Sequence, residues 1–422
     1  MLRKPLTLLQ GAWPLVAFFA ITRVVFSYLA AHPDLYAEGG VTFDVIAVYQ
    51  FWAESVIAAG DSPYAKVAIE YPPGSLAFIF LPELISSQQY LPTFVSMMVV
   101  VDLAGFAGLY LLARRWGSMM GPWLWALAIP LLGPISYTRL DLVPAVLVIW
   151  AFEFAARKEW GVTGGLMGFA ALAKVYPALI IPSAFVMAKR KKRFLAGIVV
   201  AVGLPLLPLL GSIDSIWSSV VTYHMNRGIQ VESIWGSALF VNHLLGRSVQ
   251  LVSDFGAWHF HVADPLIENM AFLLTVAAVV LTIRLALKTT VKSPQRLAIL
   301  AFTVLLLSIS VSTVFSPQFM LWLIGAGATV ACIAGARVHL APFLLLPAAL
   351  LTQVIFPFNY SELLSFQPLA IWTLVIRNVL VLSAAAVALI SFPREVVGDE
   401  QQSGKERDSA AKLLSVPEQP PA

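Results

Sequence analysis

Residues 32–74 read HPDLYAEGGVTFDVIAVYQFWAESVIAAGDSPYAKVAIEYPPG. They follow the first apolar helix directly. The stretch carries an acid, Asp44, and an aromatic series, Tyr49, Trp52, Tyr64 and Tyr71. It closes on the turn Ile69-Glu70-Tyr71-Pro72-Pro73-Gly74. Two prolines fix φ there and hold the preceding residue extended. Gly74 is expected to let the chain turn into the next apolar helix. The stretch Val45–Ala59 is amphipathic enough to lie along a membrane interface, which would hold the Asp44 carboxylate at headgroup depth.

The rest of the chain sets this loop in a membrane. Hydrophobic residues make up 59% of the 422 residues and charged residues 12%, against about 25% charged in a soluble domain. A mean hydropathy of +0.82 over that length means many spans. Apolar segments lie near 12–31, 92–112, 121–136, 142–157, 162–173, 177–188, 194–212, 267–287, 297–314, 317–335, 340–357 and 368–391. A span takes about 17–25 residues. The pair 162–173 and 177–188 is too short for two perpendicular spans. It reads as a shallow hairpin whose tip, Lys174-Val175-Tyr176-Pro177, stops within the membrane thickness. Irregular backbone at that depth must line a cavity or be buried in protein. The fold expected is all-α and polytopic, with about twelve transmembrane or re-entrant helices and interfacial helices in the first outer loop.

Basic residues orient it. With the N-terminus inside, the cytoplasmic loops and tail, counted with the adjoining span ends, hold 20 of the 27 Lys and Arg, the densest run being Lys189–Arg193. The positive-inside rule therefore puts both termini in the cytoplasm. The basic balance of +4 reads as a topology signal, with no nucleic acid implied. The first apolar run is long enough to remain as a span rather than be cleaved. Residues 394–422 are rich in Glu, Gln, Ser, Lys and Pro. They are expected to form a disordered cytoplasmic tail beyond a membrane-embedded domain of residues 1–393. The single cysteine, Cys332, admits no intramolecular disulfide.

In this orientation Asp44, Glu70, Arg139, Asp141, Lys174, His224, Arg227, Glu232 and Gln318 all reach the outer side. Each has a plain reading beside a functional one. An acid such as Asp44 in an outer loop is usually a solvated surface group; a carboxylate at headgroup depth can also take a proton from an attacking hydroxyl. Glu70 flanks a proline turn. Arg139 and Asp141 lie two apart where a helix begins, and a mutual or N-cap pair explains them better than catalysis. His224, Arg227 and Glu232 cluster in the second long outer loop. There Arg227 suits phosphate or sugar hydroxyls or a loop salt bridge to Glu232. Lys174 is an ionisable residue at membrane depth, a candidate functional residue by position and a point-charge partner for phosphate. No HExxH, CxxC, GxGxxG, DxD or P-loop pattern occurs, which argues against a zincin, a nucleotide-binding fold and a nucleotide-sugar transferase with a metal-chelating aspartate pair. No cofactor and no metal is expected.

In order along residues 44–319, these pieces resemble the polyprenol-phosphate-mannose-dependent mannosyltransferases of actinobacteria, in the GT-C superfamily of membrane glycosyltransferases. The pieces are Asp44 with Tyr49 and Trp52, Pro63-Tyr64, Ile69–Gly74 and Arg139–Ala145. Ala173–Pro177, Tyr223–Ser233 and Ser316-Pro317-Gln318-Phe319 complete the set. The resemblance implies a polyprenyl-phosphate sugar donor, a glycolipid or polysaccharide acceptor, and inversion at the anomeric carbon. It implies Asp44 as general base, Lys174, Arg227 and His224 at the donor phosphate, and the remaining outer residues, with Tyr49, Trp52, Tyr64 and Tyr71, at the substrates. The family includes arabinofuranosyltransferases, and the residues do not separate the two sugars. A multi-span transporter would instead show inverted or parallel repeats, and none is visible. A lipid-binding scaffold would leave the ordered outer motifs unexplained.

Overall fold

The structure, a computed structural model, describes residues 5–35, 39–223, 227–261, 266–289, 291–335 and 340–414, with side chains within 5–12, at 268 and from 392 onward left outside. It is an α-helical polytopic fold with one small sheet. Helix α1 spans Pro5–Ala31, α2 Leu76–Ile85, α3 Tyr90–Trp116, α4 Met120–Leu132 and α5 Leu142–Ala156. Next come α6 (Trp160–Ala173), α7 (Ile181–Met187), α8 (Lys191–Leu206) and α9 (Ile234–Leu244). The last are α10 (Leu266–Lys288), α11 (Pro294–Val311), α12 (Met320–Ala331), α13 (Leu345–Ile355), α14 (Tyr360–Leu364) and α15 (Pro368–Leu414).

Among the described residues, six helical segments are long and apolar enough to cross a membrane, and six shorter apolar helices run 10–17 residues. The shorter set includes Pro73–Ile85, which the twelve segments read from hydropathy omit. Helix α2 is only 10 residues long and carries Pro82. The hairpin expected at 162–188 is present: α6 stops at Lys174, which is extended (φ −153°, ψ 137°). Pro177 explains the stop, because in a continued helix its ring would meet the carbonyl of Ala173 and its missing N–H would leave that carbonyl unbonded. A 3₁₀ turn, Tyr176–Leu179, then leads toward α7.

Helices α6 and α8 pack closely, and glycines make this possible. A Cβ on Gly197 would collide with the carbonyl of Gly161, and one on Gly164 with that of Phe194. Small residues let backbones approach where lipid supplies no hydrophobic drive. At the other side of the bundle, buried Asp102 of α3 ties three elements together. Arg23 Nε of α1 lies 2.8 Å from Oδ2, the Trp125 indole of α4 donates at 2.6 Å to Oδ1, and the Tyr137 hydroxyl donates at 2.6 Å to Oδ2. Arg23 also donates to the Ala126 carbonyl and sits over the Phe19 ring. This satisfied knot fixes the loop that carries Arg139 and Asp141.

The first long loop contains the expected interfacial helix. Asp44–Ala58 is helical, with two widened π-helical stretches around Gln50–Ala53. The second loop holds a three-stranded antiparallel sheet, β1 (Ile229–Gln230), β2 (Leu251–Asp254) and β3 (Ala257–Phe260), in the order β1-β3-β2. Strands were not anticipated. A second hydrophobic cluster underlies the sheet, joining Ile229, Val231 and Phe260 to Phe240 of α9, Leu363 of α14 and Ile371 and Leu374 of α15. Helix α15 also departs from expectation: its backbone stays helical to Leu414 instead of ending near residue 391. Extending a formed helix avoids a new nucleation step. Residues 415–422 lie outside the described residues.

Candidate functional site

Segments close to one another in space and far apart in sequence line a cavity of about 680 Å³. Among them are the first loop with its helix, the loop before α5, the tip after α6, the second loop with its sheet, the turn before α12 and the stretch from Phe356 to Tyr360. Asp44, Tyr49, Glu70, Tyr71, Arg139, Lys174, Arg227, Glu232 and Gln318 all line it. The sequence placed these residues on one side; the fold gathers them into one chamber.

Their pairings differ from the expected ones. Arg139 does not pair with Asp141. Its Nε lies 3.0 Å from Asp44 Oδ2, a close ion contact without hydrogen-bond geometry, and its Nη1 donates to the Val41 and Thr138 carbonyls. Asp141 precedes α5 but makes no side-chain cap bond. It accepts from Lys174 Nζ at 3.3 Å and from the Trp322 indole at 2.7 Å. The reason is tertiary: the Asp102 knot and the α6 tip bring long-range cations nearer than the neighbour in sequence. Arg227 likewise does not bridge to Glu232. Glu232 faces Arg377 of α15 at 3.6 Å, and Arg227 Nε is buried without a hydrogen-bond partner. His224 lies outside the described residues.

The Lys174 ammonium sits at the helix break, 13% exposed, and 4.2 Å from the centre of the Tyr71 ring. Tyr71 in turn shares a 2.9 Å hydrogen bond with the Tyr49 hydroxyl. The turn Pro72–Gly74 packs against this tip. Gly74 acts by close approach rather than by turning freely: an added Cβ would stand 2.8 Å from Ala173 N and Leu172 C. Glu70 is therefore more than a flank of a proline turn. Burial raises its proton affinity, while a hydrogen bond from Tyr223 and the nearby Arg227 charge work against that rise. Burial pushes the Arg227 guanidinium down, with Tyr223, Tyr71 and Glu70 opposing. Asp44 keeps 29% of its side chain exposed to the cavity.

Three predicted residues stand behind the wall. Asp141 holds Lys174. Trp52 is buried with its ring 6.1 Å from Tyr49 and 6.0 Å from Tyr71. Tyr64 donates at 2.7 Å to the Tyr71 carbonyl. All three set the position of groups that do face the cavity.

Residues 69–317 match the model of glycosyltransferase family 87, more than half of the chain. The chain belongs to glycosyltransferase family 87. It is a multi-pass membrane glycosyltransferase. No curated protein matches it. Among solved structures it is similar to ArnT from Cupriavidus metallidurans bound to undecaprenyl phosphate: 15% identity, 97% of this chain and 82% of that chain covered, TM-score 0.48. The same protein in the apo state gives 14% identity, 90% and 77% coverage, and a TM-score of 0.47.

Several cavity residues of this family 87 glycosyltransferase escaped sequence reading. Tyr176, Trp322 and Phe319 form a stack, with ring centres 4.2 and 3.8 Å apart about Trp322. The signal was present in Tyr176-Pro177 and Pro317-Gln318-Phe319, but their meeting is tertiary. The β2–β3 hairpin tip, Phe255 to Trp258, also lines the chamber, and Gly256 at φ 66° marks its turn. Arg377 lies within an apolar span, which alone makes an ionisable residue a candidate. Asp44, Gln318 and Arg377 fall outside the matched stretch.

Proposed function

We propose that this glycosyltransferase moves a mannosyl residue from a polyprenyl-phosphate donor to a hydroxyl of a glycolipid or glycan acceptor, on the extracytoplasmic face and with inversion. The observation that carries this reading is the convergence of Asp44 with the cations Lys174 and Arg227 on one cavity. Asp44 takes the proton of the acceptor hydroxyl as that oxygen bonds to the anomeric carbon. The bond from that carbon to the phosphate oxygen breaks, and the polyprenyl phosphate departs carrying the negative charge. Lys174 and Arg227 stabilise this developing charge from fixed positions, so the leaving group requires no proton. Arg139 holds Asp44 in place. The GT-C relationship and the choice of mannose rest on the motif resemblance. Both termini and the tail from 394 are assigned to the cytoplasm by the basic-residue count.

The test is transfer by purified protein in lipid nanodiscs, with radiolabelled polyprenyl-phosphate mannose and polyprenyl-phosphate arabinose offered with a glycolipid extract. Transfer of mannose with inverted configuration is expected. Transfer of arabinose alone would overturn the sugar assignment. Transfer from a nucleotide sugar alone would overturn the donor class.

A further inference from the structure

The charged groups of the cavity fall into two sectors. Asp44, Glu70, Arg139, Lys174 and Arg227 interact among themselves and with Tyr71. Glu232 stands apart: among the described residues, its charged neighbour is Arg377. It is 1% exposed, it lines the cavity, and its Oε2 has no hydrogen-bond partner. A buried carboxylate oxygen without a donor is costly. A ligand hydroxyl reaching that oxygen would remove the cost.

The fold holds this carboxylate deliberately. Arg377 Nη2 donates at 2.9 Å to the Glu232 carbonyl and lies 3.6 Å from Oε2. Asn378 donates to the carbonyls of Glu232 and Ser233 and to Ser237 Oγ. Arg377 itself is fully buried, with its guanidinium 4.0 Å from the centre of the Phe315 ring. The backbone bearing Glu232 is thus clamped to a transmembrane helix. Trp258, Phe356 and Tyr360 line the cavity in company with Glu232. Phe356 and Tyr360 meet edge to face at 5.3 Å, and Tyr360 is close enough for the Glu232 charge to act on it. Aromatic side chains with one carboxylate suit a sugar ring, whose C–H face packs on an arene and whose adjacent hydroxyls donate to the carboxylate. The sector rests on its own hydrophobic cluster beneath the sheet and α15. The cavity, about 680 Å³, is large enough for more than one ring.

We propose that Glu232, clamped by Arg377 and flanked by Trp258, Phe356 and Tyr360, forms a second sugar subsite that takes a ring of the acceptor glycan. This rests on the reading of the reaction above, in which Asp44 and the cations take the donor. Arg377 and Asn378 are positioning residues; Glu232 touches the acceptor.

Two measurements on full-length protein in nanodiscs test the subsite separately from that reading. The first is equilibrium binding of octyl mannoside and octyl arabinofuranoside with no donor present, against tetraethylene glycol monooctyl ether as a ringless control. Wild type binds at least one octyl glycoside more tightly than the control. Glu232→Gln, close to isosteric, weakens that binding about tenfold or more, and Trp258→Ala weakens it as well, while binding of the control is unchanged. Equal binding of glycosides and control by wild type, or Glu232→Gln binding like wild type, overturns the subsite whatever the donor proves to be. The second is a kinetic split with polyprenyl-phosphate mannose. Glu232→Gln raises the acceptor KM by about tenfold while the donor KM stays within about twofold. A rise in the donor KM alone overturns the assignment to the acceptor. Wild-type protein that binds octyl glycosides but uses no polyprenyl-phosphate sugar refutes the reaction and leaves the subsite standing.

Discussion

Asp44 and Glu70 share the cavity, and only one of them is placed as the base. Asp44 keeps an exposed face and has Arg139 beside it, whereas Glu70 is engaged by Tyr223 and raised by burial. Asp44→Asn preserves size and hydrogen-bonding capacity while removing the base. It should lower transfer by about 10²–10⁴ without loss of thermal stability in detergent. A stable Asp44→Asn protein with wild-type rate would move the base to Glu70. Glu232 gives a second expectation, in pH. Burial lifts its carboxyl to about 7 from an ordinary 4.5, with Arg377 opposing the rise. The folded protein then binds this proton more tightly than the unfolded chain does. The stabilisation is present in full below about pH 4.5, is lost as the pH rises toward 7, and the loss is complete above that. The whole effect is on the order of 3 kcal/mol. Melting temperatures measured from pH 4.5 to 8 should fall for wild type and fall less for Glu232→Gln. Parallel curves for the two would refute the assignment to Glu232.

Among the elements, the α6 tip depends on the turn at Pro72–Gly74. Because a Cβ at residue 74 would press on the backbone of Leu172 and Ala173, Gly74→Ala should displace Lys174. The expected result is a fall of tenfold or more in transfer with about 1–3 kcal/mol of stability lost to overpacking. Gly74→Ala with normal turnover would show that the tip does not need this contact. Length and hydropathy made the long helices legible, and Pro177 made the hairpin legible. Helix α2 was hidden because ten residues interrupted by Pro82 fall below any span criterion. The sheet was hidden because its strands are two to four residues long. Which cation meets which acid was not legible at all. Asp44 finds Arg139 and Asp141 finds Lys174, and such partners are chosen by packing, while sequence spacing favours the neighbour that was expected.

For the whole molecule, the cavity end and the basic loops should face opposite sides of the membrane. In a Cys332→Ala background, Ser253→Cys on exposed β2 should react with an impermeant maleimide on intact cells. Lys191→Cys at the start of α8 should react only after permeabilisation. The reverse pattern would invert the topology and place the chamber inside. The gathering of candidate residues on one side was readable from the basic count alone. Their merging into a single chamber with two charged sectors was not, since it depends on α15 returning to meet the second loop.

The Asp102 knot also bears on how the protein is made. Arg23 sits midway along the span Trp13–Ala31, and its counter-charge follows 79 residues later. On insertion scales an arginine at a helix centre costs about 2.5–3.5 kcal/mol. During synthesis α1 therefore enters the bilayer burdened, and remains so until α3 emerges. The first helix is then seated by the third, and assembly acquires an order that hydropathy does not impose. Ribosome-bound chains truncated before residue 102 should leave α1 extractable by alkaline carbonate, whereas chains carried past Tyr137 should retain it. Equal retention at both lengths would mean that α1 settles unaided.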